Sequence, residues 1–437
     1  MKKKILIIDD SALMRRVISD IINECNDYEV SAIAKDGVQG FEMIVSNPTL
    51  YSAIILDINM PKMNGLELLK KLQKNRIDQT VIVVSTVAKE GAKETIEALE
   101  YGAFDFVTKP ENYLDTKSDD FKERIHSMLD VATSTPESMA RTQLSAGTQE
   151  SSGDRSAGGT GSSPGAVSGD RSSKVGEAAA GRTTATAQAG DARLRSTEAA
   201  RRAKEAVAKN AEAIRVLREM NTKRHEDEKP KTVNANEFKD VKKGSRKLVA
   251  LACSTGGPKA LQQVLPYLPG NLDAGVVLVQ HMPKGFTGSL AQRLDELSKI
   301  SVKEAAQGEV VRKGHVYIAP GGMHIRVVPQ GGDYVIKLSE EAPIDGLRPC
   351  ANVMYDSLKD CGYDEITCVV LTGMGADGTE GIKSLSRHRK KIYVIAQDEA
   401  SSIVYGMPKA VAQSGLVNEV VPLNKIAEAI TKNVGVS

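Results

Sequence analysis

Polar residues in this sequence collect where continuous apolar runs end, and they do so in two sets. In the first, Asp9 and Asp10 follow Ile5–Ile8, Asp57 closes the run from Ala53 to Leu56, Ser85 follows Val81–Val84, and Lys109 stands just before Pro110. Three carboxylates on one edge repel one another unless a cation sits among them. A hard divalent ion that keeps several waters, Mg2+, meets that need with one or two carboxylates. A hydroxyl and an ammonium beside them suit a phosphoryl group on Asp57, neutralised by metal and Lys109 and hydrogen-bonded by Ser85. Each Asp taken alone also reads as a turn or helix cap. Five such residues at matching strand ends favour one shared pocket.

The second set begins where Leu248–Ala252 runs into Cys253-Ser254-Thr255-Gly256-Gly257-Pro258. Pro258 suits the first helical position, which makes Gly257 the expected N-cap and leaves the Ser254 hydroxyl unused by capping. A free hydroxyl beside exposed backbone N–H groups is what an acyl-transfer nucleophile requires, although the same turn also suits a bound phosphate. Gly275–Gln280 ends in His281-Met282-Pro283. A lone histidine at a strand end is more often structural, but adjacent parallel strands would bring His281 beside Ser254. Thr367–Leu371 ends in Thr372-Gly373-Met374-Gly375-Ala376-Asp377-Gly378. Asp377 reads equally as the carboxylate that orients His281 and, with Glu380, as a helix capping box.

Positioning these residues takes parallel sheets. From residue 1 to about 114, short β-branched runs alternate with helical patterns at Ala12–Asn23, Leu66–Gln73 and Ala92–Tyr101. Strands apolar on both faces imply a doubly wound parallel sheet covered by helices. From Pro136 to Gly190 the composition falls to Ser, Gly, Ala, Thr and Gln, too polar to offset its ordering entropy, so disorder is expected there. Residues 191–225 are Ala-rich and charged, with Val207, Ile214 and Leu217 on one possible helical face. From Arg246 to Ser437 the α/β rhythm resumes in a second, larger parallel-sheet domain. Residues 115–245 are therefore read as a linker.

Composition narrows the classes. The 437 residues hold 58 Lys plus Arg against 56 Asp plus Glu, so no strong field favours nucleic acid or anionic lipid. Five widely spaced cysteines lack the paired spacing of a zinc site, and free thiols in a reducing cytoplasm are expected. The first apolar run ends at Asp9, and none reaches the roughly 20 residues of a membrane span. A cytoplasmic monomer without membrane insertion is the expectation.

Residues 1–114 resemble the receiver domain of two-component response regulators, through Asp9-Asp10, Leu56-Asp57-Ile58-Asn59-Met60-Pro61, Gly65, Ser85 and Lys109-Pro110. The resemblance implies that Asp57 is the phosphoacceptor, that Asp9, Asp10, Asp57 and the backbone of Asn59 hold Mg2+, and that Ser85 or the adjacent Thr86 acts with Lys109 as the switch. Residues 246 to about 432 are similar to the catalytic domain of the chemotaxis protein-glutamate methylesterases. Ser254-Thr255-Gly256-Gly257, Gln280-His281-Met282-Pro283 with Gly285-Phe286-Thr287, and Leu371 to Gly378 carry the likeness, and Tyr317 to Gly321 and Ala396 to Ser401 extend it. It implies Ser254 as nucleophile, His281 as base, Asp377 as its orienting carboxylate, and the backbone amides of Thr255 and Met374 as oxyanion donors, with no cofactor for the ester chemistry. Methylated chemoreceptors would be the substrate and a chemotaxis histidine kinase the phosphodonor, and glutamine deamidation is a related chemistry.

In that family a short linker lets the unphosphorylated receiver cover the active site, whereas about 130 residues separate the domains here. A roughly ninefold longer tether costs on the order of 2 kcal/mol in docking, so weaker autoinhibition and a smaller activation are expected. Glu198, Glu205, Glu212 and Glu219 recur every seven residues in the Ala-rich stretch, most simply as a solvated charged face. The competing class is a receiver-regulated nucleotide-binding or transcription module. It lacks a P-loop lysine and a basic recognition helix.

Overall fold

The computed structural model describes residues 2–86, 89–110, 118–134 and 246–437. The low-complexity stretch, the helix expected at 191–225 and its heptad-spaced glutamates lie outside the described residues.

In the first domain β1 (Lys3–Ile8), β2 (Tyr28–Ala34), β3 (Ala53–Asp57), β4 (Val81–Ser85) and β5 (Asp105–Thr108) form a parallel sheet of order β2-β1-β3-β4-β5. The central strands β3 and β4 are buried at every position because both faces are covered. Ile5 and Ile7 pack with Val17, Ile18, Phe121 and Ile125 on one side, and Leu6 and Ile8 with Ile44, Leu66 and Leu69 on the other. These partners belong to α1 (Ala12–Glu24), α2 (Gly37–Ser46), α3 (Gly65–Lys74) and α5 (Asp119–Thr133), while α4 (Lys89–Glu100) follows β4. The helix α5 lies past residue 114, and its buried Phe121, Ile125 and Leu129 extend this domain beyond that boundary.

The second sheet has the order β14-β13-β12-β6-β7-β9-β8, every neighbouring pair parallel. Its strands are β6 (Lys247–Cys253), β7 (Ala274–Gln280), β8 (Ser301–Glu304), β9 (His315–Ile318), β12 (Glu365–Val370), β13 (Ile392–Gln397) and β14 (Glu419–Val421). An antiparallel pair, β10 (His324–Gln330) and β11 (Asp333–Ser339), stands apart from it. The helices are α6 (Gly257–Val264), α7 (Phe286–Leu297), α8 (Ala351–Ser357), α9 (Thr379–Arg387), α10 (Met407–Ala412) and α11 (Leu423–Val434).

Strand order reverses between β1 and β3 in the first sheet and between β6 and β12 in the second. At such points the connections leave in opposite directions and open a crevice at the carboxyl ends of the strands. Asp9 and Asp57 flank one crevice, and Ser254 and Thr372 flank the other. No helix among the described residues is long and apolar enough to cross a membrane, and all five cysteines are free.

Candidate active site and phosphoryl pocket

The second crevice is assembled by strand register. The β6–β7 ladder pairs Cys253 with Gln280, and the β6–β12 ladder pairs Ala252 with Val370. The residues that follow continue the pairing, since His281 N–H donates to the Cys253 carbonyl at 3.1 Å and Ser254 N–H to the Thr372 carbonyl at 3.0 Å. Ser254 therefore sits between the chain carrying His281 and the chain leading to Asp377. The approach is close enough to need glycine at 373, where a Cβ would stand 2.8 Å from the Ser254 Cβ and 2.4 Å from the Met407 sulfur. Past Ser254 the chain enters α6 with Gly256 as N-cap at φ +76°, one residue earlier than expected. Pro258 takes the second helical position, where its missing N–H is equally free of an intrahelical partner.

His281 and Asp377 meet, with Nε2 2.7 Å from Oδ2. The Ser254 hydroxyl makes no hydrogen bond among the described residues, and neither does His281 Nδ1. Asp377 is buried and heavily bonded. It accepts the N–H groups of Ala351 (2.6 Å), Asn352 (2.9 Å) and Gly378 (2.9 Å) and the Cys350 thiol (3.2 Å). Burial alone would raise its pKa, but His281 and the two amides at the start of α8 outweigh that and hold it at about 2. It is ionised at any working pH. The capping-box reading of Asp377 does not hold, because Gly378 is the N-cap of α9 and Glu380 turns to Lys383 (2.7 Å) and Arg387 (3.6 Å). Cys350, Ala351 and Asn352 had no signal in the motifs. Their place beside Asp377 depends on a distant segment folding back, with Asn352 Oδ1 also accepting Gly378 N–H (3.0 Å) and Gly381 N–H (2.8 Å).

The backbone N–H groups of Thr255 and Met374 make no hydrogen bond among the described residues, which leaves them available to a ligand. Thr255 is held through its carbonyl, which accepts the Thr372 hydroxyl at 3.0 Å, while Thr372 N–H is fixed by Gln397 Oε1 at 2.8 Å. Met374 is half-exposed.

In the first crevice, carboxylate oxygens of Asp9, Asp10 and Asp57 lie within 4.8 Å of one another. Lys109 Nζ bridges Asp57 (2.8 Å) and Asp9 (3.1 Å). Burial, and then the neighbouring Asp9, push the Asp57 pKa up against the pull of Lys109 and of the Asn59 N–H. A second positive charge is what this pocket calls for, and its all-oxygen donor set fits Mg2+. Ser85 is buried and 2.6 Å from the Thr95 hydroxyl of α4, whereas Thr86 is exposed. Thr95 was not singled out from the sequence, since only its helical position opposite Ser85 reveals it.

The first domain also touches the turn that carries Ser254. The Phe106 and Phe286 rings stack with centroids 4.7 Å apart. Arg293 of α7 reaches Glu100 of α4 through two bonds of 2.5 and 3.0 Å. The Asp105 carboxyl is buried, and burial pushes its pKa up to about 6 against the bond from the Phe106 N–H and the pull of the nearby Gly256 N–H and Thr255 hydroxyl.

Residues 249–430 match the family model described as CheB methylesterase, and residues 5–117 match the response regulator receiver domain. A protein-glutamate methylesterase/protein-glutamine glutaminase of Pyrococcus horikoshii is 35% identical over 433 residues, covering 99% of this chain and 94% of that protein. A protein of the same name from Geobacillus kaustophilus is 34% identical, with 99% of each chain covered. The Thermotoga maritima CheB methylesterase catalytic domain aligns at 42% identity and a TM-score of 0.42, covering 44% of this chain and all of that one.

Proposed function

The chain belongs to the protein-glutamate methylesterase/protein-glutamine glutaminase family, and from that premise we propose that it hydrolyses glutamate methyl esters on chemoreceptors under control of phosphorylation at Asp57. The observation that carries the reading is the 2.7 Å bond between His281, just past β7, and Asp377, in the loop from β12 to α9, beside Ser254. With Nε2 held by Asp377, Nδ1 is the nitrogen left to take the Ser254 proton as Oγ attacks the ester carbonyl. The oxygen, now negative, meets the free N–H groups of Thr255 and Met374. His281 then gives its proton to the departing methoxide, so methanol leaves and an acyl-serine remains. Water, deprotonated by the same imidazole, attacks the acyl carbon and releases glutamate and Ser254. A glutamine amide follows the same path with ammonia leaving. The test incubates the full chain with membranes holding methylated chemoreceptors; methanol release matched by new receptor carboxylates supports the reading, and intact esters overturn it.

For regulation, Asp57 would take a phosphoryl group from a chemotaxis histidine kinase, a P–N bond breaking as a P–O bond forms. Asp9, Asp10, Asp57 and the Asn59 backbone would hold Mg2+, which screens charge on the entering phosphoryl group. Lys109 offsets charge on the acceptor, and Ser85 would leave Thr95 to bond the new phosphoryl oxygens. Phosphodonor-driven activation is expected to vanish in Asp57→Asn and in excess chelator while basal hydrolysis persists, and methanol-release assays with and without phosphodonor check this.

The contacts of Phe106, Glu100 and Asp105 support a resting state in which the receiver covers the Ser254 turn. Arg293→Ala removes the charged partner of Glu100 and leaves only the longer bond from Gln262 (3.4 Å), so basal hydrolysis without phosphodonor should rise about fivefold, the equivalent of about 1 kcal/mol of lost docking. Unchanged basal rate would argue against a closed resting state. Asp105 adds a pH dependence. Its pKa is raised in the closed state and returns toward 3.8 when the carboxyl regains water. The closed state therefore binds more protons between those values and loses stability as pH rises toward about 6. Release of the receiver should increase across that window and become flat in Asp105→Asn, with limited proteolysis as the readout.

A further inference from the structure

Gln280 ends β7, pairs with Cys253 across the ladder, and is almost wholly buried. Its side-chain amide faces the nucleophile turn. Nε2 donates to the Ser254 carbonyl at 3.0 Å and to the His281 carbonyl at 3.1 Å, and Oε1 accepts the Cys253 thiol at 3.0 Å. Two acceptors on one side and a donor on the other admit one orientation of the amide, since a carbonyl only accepts; the Ser254 carbonyl also takes the Gly257 N–H at 2.7 Å. Gly257 closes the remaining space: a Cβ there would stand 2.0 Å from Gln280 Oε1.

This arrangement lies where the backbone stops connecting the two strands. The last rung between β6 and β7 is His281 N–H to the Cys253 carbonyl at 3.1 Å. Beyond it, among the described residues, the Gln280 amide is what joins Ser254 to His281. A proton transfer between hydroxyl and imidazole tolerates little drift, because a displacement of about 1 Å can cost about 100-fold in rate. We propose that Gln280 is a positioning residue for the hydrolytic reaction, its single amide clamping the carbonyls of Ser254 and His281 so that hydroxyl and imidazole keep a fixed separation. The inference rests on the reading of Ser254 and His281 as nucleophile and base.

The test compares full-length wild type, Gln280→Met, Gln280→Glu and Ser254→Ala in methanol release from membranes holding methylated chemoreceptors. Methionine keeps the volume and loses every hydrogen bond. Glutamate keeps the shape, donates nothing when ionised and donates one bond when protonated. Both Gln280 variants should lose about 10- to 100-fold in kcat with KM within twofold, while circular dichroism and Asp57 phosphorylation stay as in wild type. The ratio of Gln280→Glu to wild-type kcat should rise as pH falls, and that of Gln280→Met should stay flat. The proposal is overturned by a kcat within twofold of wild type in Gln280→Met, by a loss confined to KM, or by a loss that follows the unfolded fraction. An active Ser254→Ala would overturn the nucleophile assignment as well, whereas inactive Ser254→Ala beside fully active Gln280→Met overturns this inference alone.

Discussion

Ser254→Ala is expected to lower methanol release by on the order of 10^6-fold, with the fold and Asp57 phosphorylation intact. Members of a nucleophile–base pair act as a unit, so removing the nucleophile alone forfeits nearly all of what the set contributes. The structural cost is small because the Ser254 hydroxyl has no hydrogen-bond partner among the described residues and its backbone stays tied to Thr372. Substrate binding should persist, since the N–H groups of Thr255 and Met374 come from the backbone. Steady-state release of methanol from methylated receptor membranes is the measurement. A variant within tenfold of wild type would place the nucleophile elsewhere.

Asp377→Asn carries the second largest expected effect, a fall in kcat on the order of 10^4-fold. The carboxylate now accepts from His281, from Ala351, Asn352 and Gly378 N–H groups, and from the Cys350 thiol. An amide has one oxygen. With that oxygen facing the Asn352 and Gly378 N–H groups, NH2 meets both His281 and the Ala351 N–H and favours the wrong imidazole tautomer; turned the other way, NH2 is set against the Asn352 and Gly378 donors. The same bonds give a stability signature. Because the folded pKa is lowered from 3.8 to about 2, the stabilisation is fully present above about pH 4 and disappears as pH falls through about 2. The variant should therefore be less stable than wild type near neutrality and show a shallower loss across that acid window, as read by thermal unfolding against pH.

Much of both sites was legible because each motif directly follows a fully buried apolar run. Ile5–Ile8, Leu248–Ala252 and Gly275–Val279 have no polar face, which forces parallel pairing under helices and sends the next residues to a common edge. The β12–β6 neighbourhood was harder to see. It joins segments more than a hundred residues apart, and only the resemblance favoured the orienting role of Asp377 over a capping box. Nothing in the sequence placed Ala351 and Asn352 beside Asp377, since that contact follows from how α8 packs rather than from spacing. The contacts of Asp105 with the Ser254 turn and of Phe106 with Phe286 were equally hidden, because they belong to the packing of two domains. Residue 114 fell short as a boundary because the sequence just after it is polar in composition and reads as a linker, yet Phe121, Ile125 and Leu129 close one face of the first sheet. The β10–β11 pair was missed although Gly331-Gly332 marks its turn.

The central claim is that Ser254, His281 and Asp377 share one proton at the edge of the second sheet. Its most direct measurement is the rate and position of modification by a serine-directed organophosphonate, mapped by mass spectrometry in wild type and His281→Gln. The account predicts a single adduct on Ser254 in wild type, formed at least about 100-fold more slowly once the imidazole is gone. An adduct on another residue, or equal rates in the two proteins, would contradict it.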